Sequence, residues 1–253
     1  MPTLSVILIT CNEEANLGDC LASLEGMAQQ IVVVDTNSSD RTLEIAKNHA
    51  AVISSPPDWP GFGPQKNRAL DLASGDWVLS LDADERLTPA LRAEIQRAIA
   101  HSAHVECFAI PRLSWYCGRF IRHSGWSPDY VERLFKRGTA RFSDDLVHER
   151  LIPSGQVARL ENPMLHFSFM NYSQVLQKID RYSTASAQQA FAKGKTSNPL
   201  KAILHGAWSF FRTYIIKAGF LDGAQGLALA ISNGQGTYYR YIKLWQLNLE
   251  NRK

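Results

Sequence analysis

The chain has 253 residues, 45% of them apolar and 20% charged, with a formal net charge of +3. This is an ordinary composition for a protein with a real core and room for one domain plus an appendage, and it excludes a disordered chain. The charge is uneven: from Pro199 onward seven Lys/Arg stand against two Asp/Glu, which points to an anionic partner surface.

Cys11, Cys20, Cys107 and Cys117 show neither CxxC pairing nor metal-finger spacing, so a reduced, cytosolic chain is expected. No basic segment followed by a long apolar run opens the sequence, so secretion is not expected. The most apolar long stretch, residues 200–220, is interrupted by Lys201, His205, Arg212 and Lys217. A spanning helix needs about 20 mostly apolar residues, and this stretch does not qualify.

Residues 4–10 (LSVILIT) form a continuous apolar, β-branched run, the pattern of a strand buried on both faces. Leu17, Leu21 and Leu24 then mark a helix. Residues 31–34 (IVVV) predict a second buried strand stopped by Asp35; Ser38-Ser39-Asp40 opens a helix over 42–49, and 51–54 predict a short third strand. A Pro/Gly-rich loop follows, then a helix over 65–73 and another buried strand over 77–81 that runs into Asp82. This alternation predicts an α/β fold with a mostly parallel sheet flanked by helices. Strands are expected at 108–111 and 131–136, separated by an aromatic, Gly-rich stretch that includes Trp126. After Pro163 the spacing turns helical, at Val175/Ile179/Tyr182, Leu204/Trp208/Phe211/Ile215 and Tyr238/Ile242/Trp245.

In a parallel α/β sheet, ligands bind beyond the carboxyl ends of the strands. Three predicted strands end there in polar clusters: Thr10/Asn12/Glu13, Asp35, and Asp82/Asp84. Carboxylates at i and i+2 can both reach a hard divalent cation such as Mg²⁺ or Mn²⁺, which also takes phosphate oxygens. Such a cation stabilises the charge on a departing nucleoside diphosphate. The plainer alternative is that Asp84 caps a helix starting near Thr88-Pro89. Asp35 either accepts a hydrogen bond from a base or ribose, or caps the following turn. No GxxxxGK[ST] or GxGxxG is present, so any diphosphate must be held by the acids and their metal.

The segments LSVILITCNEEANLGDCLASL, IVVVDTNSSDRTLEIAK, GPQKNRALDLASGDWVLSLDADE and FSDDLVHERL together resemble the family 2 glycosyltransferases of GT-A fold. They are most similar to the bacterial branch that adds glucose or a like sugar to the lipopolysaccharide inner core. The resemblance implies that Thr10, Asn12, Glu13 and Asp35 line a nucleoside pocket, that Lys66 lies close to the diphosphate, and that Asp82 and Asp84 form the DxD, with Asp84 the direct metal ligand. Positions 36–39 read TNSS where a small residue and Gly are expected; Asn37 tolerates the left-handed conformation, so the turn should persist.

An inverting transfer needs a base in the acceptor half. His148-Glu149 stands where relatives carry an acidic pair, which makes Glu149 the first candidate and Asp145 the second. A surface ion pair of Glu149 with Arg133 or Arg150 is the structural alternative. His166 either completes the metal site or is a core histidine bonded to backbone. The expected organisation is a glycosyltransferase domain over 1–165, with 1–105 holding the nucleotide-sugar and 106–165 receiving the acceptor, followed by a helical region over 166–253.

In that region the apolar stripe Leu204, Trp208, Phe211 and Ile215 lies apart from Lys201, His205 and Arg212. The pattern fits an interfacial helix on anionic lipid, a helix packed on the catalytic domain, or both, with aromatics inward and the basic side on the bilayer. Nucleic acid is not an expected partner, for no nucleic-acid-binding pattern accompanies the charge. The implied function is transfer of a hexose, glucose from UDP-glucose, to a lipopolysaccharide core or related glycolipid at the inner face of the cytoplasmic membrane. A nucleotidyltransferase and a non-catalytic sugar-nucleotide-binding module are the rival readings.

Overall fold

The computed structural model describes residues 2–102, 104–144 and 149–251. At its centre β1 (Leu4–Thr10) sits in a parallel block with β2 (Gln30–Asp35), β3 (Val52–Ser54) and β4 (Trp77–Ser80), in the order β3-β2-β1-β4. Both faces of this block are covered. Val6, Leu8, Val33 and Leu79 pack with Leu17 and Leu21 of α1 (Leu17–Ala22), Ala46 of α2 (Thr42–Asn48), and Leu91 and Ile95 of α4 (Pro89–His101). Ile7, Val32, Val34 and Val78 pack with Ala69 and Leu70 of α3 (Phe62–Asp71). Two covered faces explain why these strands read as unbroken apolar runs. The strands and helices expected up to residue 81 are present, with ends within three residues of those read from the sequence.

Past β4 the sheet turns antiparallel. β8 (Asp129–Lys136) pairs with β4, and β6 (Cys107–Tyr116) pairs with β8, both antiparallel. β12 (Met164–Phe169) and β5 (Glu85–Leu87) complete the order β3-β2-β1-β4-β8-β6-β12-β5. β7 (Arg119–Phe120) and β11 (Val157–Arg159) attach to β6, while β9 (Ala140–Phe142) and β10 (Leu151–Pro153) form a separate pair. The three-residue β5 directly after the DxD escaped the sequence reading because its ERL carries no β-rich pattern.

The chain divides into two compact units, Met1–Arg112 with Asp129–His166, and Leu113–Pro128 with Phe167–Lys253. The aromatic segment Leu113–Pro128, which the sequence reading kept with the first domain, clusters with the C-terminal helices. Tyr116, Ile121, Phe169, Val175 and Leu229 form its buried core, with Trp126 packed against it. The helices are α5 (Tyr172–Ala192), α6 (Pro199–Phe211) and α7 (Gly223–Glu250), the last two joined by a π-helical turn (Arg212–Ile216) and a 3-10 turn (Gly219–Asp222).

The orientation of α6 corrects the expectation that its aromatics pack inward. Leu204, Trp208, Phe211 and Ile215 are 60%, 54%, 46% and 46% exposed. The buried side is a line of small residues, Ala202 and Gly206, continued by Thr213. It meets α7 at Gly234, which is buried on that helix together with Ala230. A Cβ on Gly206 would lie 3.1 Å from the Gly234 carbonyl oxygen. Small residues let two helix backbones approach this closely, and larger side chains are displaced to the outside. Among the described residues no single helix is long and apolar enough to cross a membrane, but the pair Pro199–Ile216 and Gly219–Glu250, bent by 72°, passes that test of length and composition together.

Candidate functional site

All the residues of this site belong to the first unit. Parallel pairing of β1 with β2 places Thr10 opposite Asp35. Asp35 is fully buried, and its carboxylate is used from within the chain: Oδ2 accepts from Thr10 Oγ1 at 2.8 Å, and Oδ1 accepts from the Ser38 N–H at 3.0 Å. Asp35 thus holds the TNSS turn, the capping alternative of the two readings. Asn37 adopts φ 54° and Asn12 φ 56°, the left-handed geometry expected for position 37. The two loops are tied together, for the Asn12 N–H donates to Ser38 Oγ at 2.8 Å and the Ser39 N–H to Asn12 Oδ1 at 2.8 Å. Burial raises the Glu13 carboxyl pKa, opposed by a bond from Asn16, and the negative charges of Asp84, Asp40 and Asp82 raise it further.

The DxD follows β4 on the neighbouring strand. Asp82 faces two cations: Lys66 Nζ lies 3.1 Å from its Oδ1, and Arg133 Nη2 donates to its Oδ2. Arg133 also donates to Glu85 Oε1 at 2.7 Å, and Glu85 is fully buried. Burial opposes the charge on Asp82, but Arg133 and Lys66 outweigh it and hold this carboxyl well below the usual carboxylate range. For Glu85, burial and the Asp82 charge win over Arg133, and its pKa is raised. Asp84 points elsewhere, with its Oδ2 3.3 Å from His166 Nε2. It caps no helix, because Thr88 itself caps α4 by accepting from the Leu91 N–H.

Three consecutive residues of α3 link these parts. Gln65 donates to Thr36 Oγ1 at 2.8 Å beside the end of β2. Asn67 donates to the Phe142 carbonyl and accepts from the Phe142 N–H, at 2.9 and 3.0 Å, clamping β9. Between them, Lys66 reaches Asp82 and also Glu149 Oε1, again at 3.1 Å. Glycine at 63 permits the close approach, since a Cβ there would lie 1.8 Å from the Ser143 carbonyl oxygen. Lys66, Asp82, Arg112, Arg133 and Glu149 line one cavity of about 300 Å³.

The structure therefore joins Asp82, Lys66 and Glu149, joins Asp84 to His166, and joins Thr10 to Asp35 directly and Asn12 to Asp35 through the Ser38 hydroxyl. Glu149 pairs with Lys66, and Arg133 pairs with Asp82 and Glu85, so the expected alternative of a Glu149–Arg133 surface pair is not what forms. Asp145 and His148 lie outside the described residues. The sequence reading missed Glu85, Arg112 and the roles of Gln65 and Asn67. An arginine inside the strand YVERLF was the one visible signal for Arg133, because a charge in a strand interior needs a buried partner.

A metal fits this donor set as an open site. Asp84 and His166 offer a carboxylate oxygen and an imidazole nitrogen side by side, and the remaining positions suit phosphate oxygens and water. Asp84 lies near enough to Glu13 that its charge, after burial, helps to raise the Glu13 pKa. Among the described residues no group of three or more His, Cys, Asp or Glu is placed together to hold a metal ion; of the three expected ligands, Asp84 and His166 lie side by side, while Asp82 is held by Lys66 and Arg133.

Removing one partner from a buried ion group leaves an unpaired charge and costs about 3–5 kcal/mol. Arg133→Met is therefore expected to lower stability by about that amount, read from the urea unfolding midpoint. A loss under ~1 kcal/mol would mean that water reaches Glu85 and Asp82 and supports them.

The profile described as Glycosyl transferase family 2 matches residues 5–220. The chain is similar to the lipopolysaccharide core biosynthesis glycosyltransferase LpsC of Rhizobium meliloti (strain 1021), 30% identical over 96% of this chain and 92% of that protein. It is also similar to the uncharacterized glycosyltransferase RT0209 of Rickettsia typhi, 27% identical over all of this chain and 90% of that protein. Among solved structures it is similar to glucosyl-3-phosphoglycerate synthase of Mycobacterium tuberculosis in complex with Mn²⁺, UDP and glucosyl-3-phosphoglycerate, 27% identical over 46% of this chain and 44% of that one, with a TM-score of 0.37. A family match over most of its length, and a relative that it follows almost from end to end, identify this chain as a member of glycosyl transferase family 2.

Proposed function

We propose that this glycosyltransferase moves glucose from UDP-glucose, with inversion at the anomeric carbon, to a lipopolysaccharide core or related glycolipid. The observation that carries the reading is the lysine bridge: one ammonium group, Lys66 Nζ, is 3.1 Å from both Asp82 at the donor strand end and Glu149 in the acceptor half. Donor identity follows the resemblance of the sequence segments, and the acceptor class follows the printed name of the Rhizobium relative.

In this reading Glu149 takes the proton of the acceptor hydroxyl as that oxygen attacks the anomeric carbon. The bond from the anomeric carbon to the diphosphate breaks, and UDP leaves with the electron pair. Lys66 keeps Glu149 and Asp82 oriented and presents a point charge toward the diphosphate. Thr10, Asn12 and Asp35 shape the loop that receives the nucleoside, with Glu13 beside it. Asp84 and His166 would hold Mg²⁺ or Mn²⁺, which supplies electrostatic stabilisation of the leaving diphosphate. The test is a panel of sugar nucleotides with Mg²⁺ or Mn²⁺, scored by nucleoside diphosphate release. UDP-glucose should turn over fastest, with slow hydrolysis in the absence of acceptor. Turnover confined to a different nucleotide or sugar would overturn the donor assignment.

We also propose that the second unit rests on the inner face of the cytoplasmic membrane through α6. Leu200, Ile203, Leu204, Trp208 and Phe211 are all exposed. Residues 199–221 contain Lys201, Arg212 and Lys217 and no Asp or Glu. An apolar face rimmed by cations suits the interface of an anionic bilayer. Trp208→Glu with Phe211→Glu should abolish vesicle binding. Charge reversal at Lys201 and Arg212 should remove only the part that salt screens within about 10 Å at 0.1 M. Binding that survives the first pair of substitutions would exclude insertion by this face.

A further inference from the structure

A second cavity, of about 500 Å³, lies within the helical unit at the junction of α5, α6 and α7, and nothing in the transfer reaction uses it. Lys195, Lys201, His205 and Arg240 line it, and no Asp or Glu does. Among the described residues none of these three Lys and Arg side chains is in an ion pair. Lys201 Nζ donates to the Thr196 carbonyl at 3.4 Å, on the linker that carries Lys195. The linker carrying Lys195 is pinned to α7, since Asn248 Nδ2 donates to the Lys195 carbonyl at 3.3 Å and Asn248 Oδ1 accepts from the Ser197 N–H at 3.0 Å. His205 stacks flat on Tyr241, with centroids 4.2 Å apart and planes within 2°. Arg240 lies over the same ring, its Cζ 5.6 Å from the centroid.

Cations that line one cavity without an acidic partner repel one another, and an anion relieves that repulsion. The donors also select which anion. Two ammonium groups, a guanidinium and an imidazole offer more N–H groups than a carboxylate or a phosphodiester, each with two free oxygens and one charge, can accept. A phosphate monoester brings three free oxygens and close to two charges at neutral pH. We infer that this cavity is a binding site for a phosphate monoester. Leu200 and Leu204, 65% and 60% exposed, alternate with Lys201 and His205 on α6, so a monoester carried by a lipid would find apolar surface beside its headgroup. A soluble sugar or glycerol phosphate would use the cations alone.

The site concerns the helical unit only and stands independently of the donor reading. The test uses the full chain with phosphatidylcholine vesicles containing either phosphatidic acid or phosphatidylserine, matched for charge, and glycerol 3-phosphate titrated by calorimetry. Tighter binding to phosphatidic acid vesicles assigns a lipid-borne monoester. Saturable binding of glycerol 3-phosphate without that preference assigns a soluble one. In either case the double variant K195A/R240A should weaken binding by about 25-fold, at roughly fivefold per cation. The control K178A/R181A removes the same charge outside the cavity and should change it far less. The far-UV circular dichroism spectrum should be unchanged in both variants, which reports that they are folded. Equal losses from the two doubles, or neither a phosphatidic acid preference nor glycerol 3-phosphate binding, would overturn the site.

Discussion

Glu149→Gln is expected to slow glucosyl transfer by about 10²- to 10⁴-fold, the usual contribution of a general base, while affinity for UDP-glucose changes little. The amide keeps the shape of the side chain and removes its ability to take a proton. Lys66 loses one of its two carboxylates but retains Asp82 at 3.1 Å, so the donor strand end should keep its arrangement. The anomeric configuration of the product, read by NMR, is the independent measurement. One in-line displacement assisted by a single base must invert, so an α-linked donor should give a β-linked product. A retained configuration would sink the mechanism. An active Glu149→Gln beside an inactive Asp145→Asn would transfer the role of base to Asp145.

Asp84→Ala should cost at least ~10²-fold in rate, the scale of losing a charge-stabilising group at a reacting phosphate. Its fold should survive, because the Asp84 side chain is 31% exposed and its polar partner is His166 at 3.3 Å, outside the Asp82–Arg133–Glu85 group. The same variant should lose metal-dependent binding of UDP, followed by calorimetry with and without Mn²⁺. EDTA should silence the native enzyme, and added Mg²⁺ or Mn²⁺ should restore it. Full activity of Asp84→Ala, or native activity untouched by EDTA, would remove the metal from the reaction. Asp82→Ala differs in kind, since it strips a carboxylate from Arg133 and Lys66 and should also destabilise the protein.

What the sequence by itself determined is the α/β block and the polar edge of its strands. Buried parallel strands need apolar residues on both faces, and LSVILIT, IVVV and WVLSL announce this directly. Strand ends then follow without further information, so Thr10, Asp35 and Asp82 were legible as neighbours, and Asn37 as the residue able to take a positive φ. The family resemblance rested on the same segments. Only the tertiary structure decided which charges pair, because ion partners such as Lys66 with Glu149, or Arg133 with Glu85, are 83 and 48 positions apart and no local rule connects them. It also decided the orientation of α6. Amphipathic spacing shows that a helix has two unlike sides, but a core seam is won by the side that permits the closer approach. On α6 Gly206 meets Gly234 of α7, with Ala202 also buried, and the large apolar stripe is left facing outward.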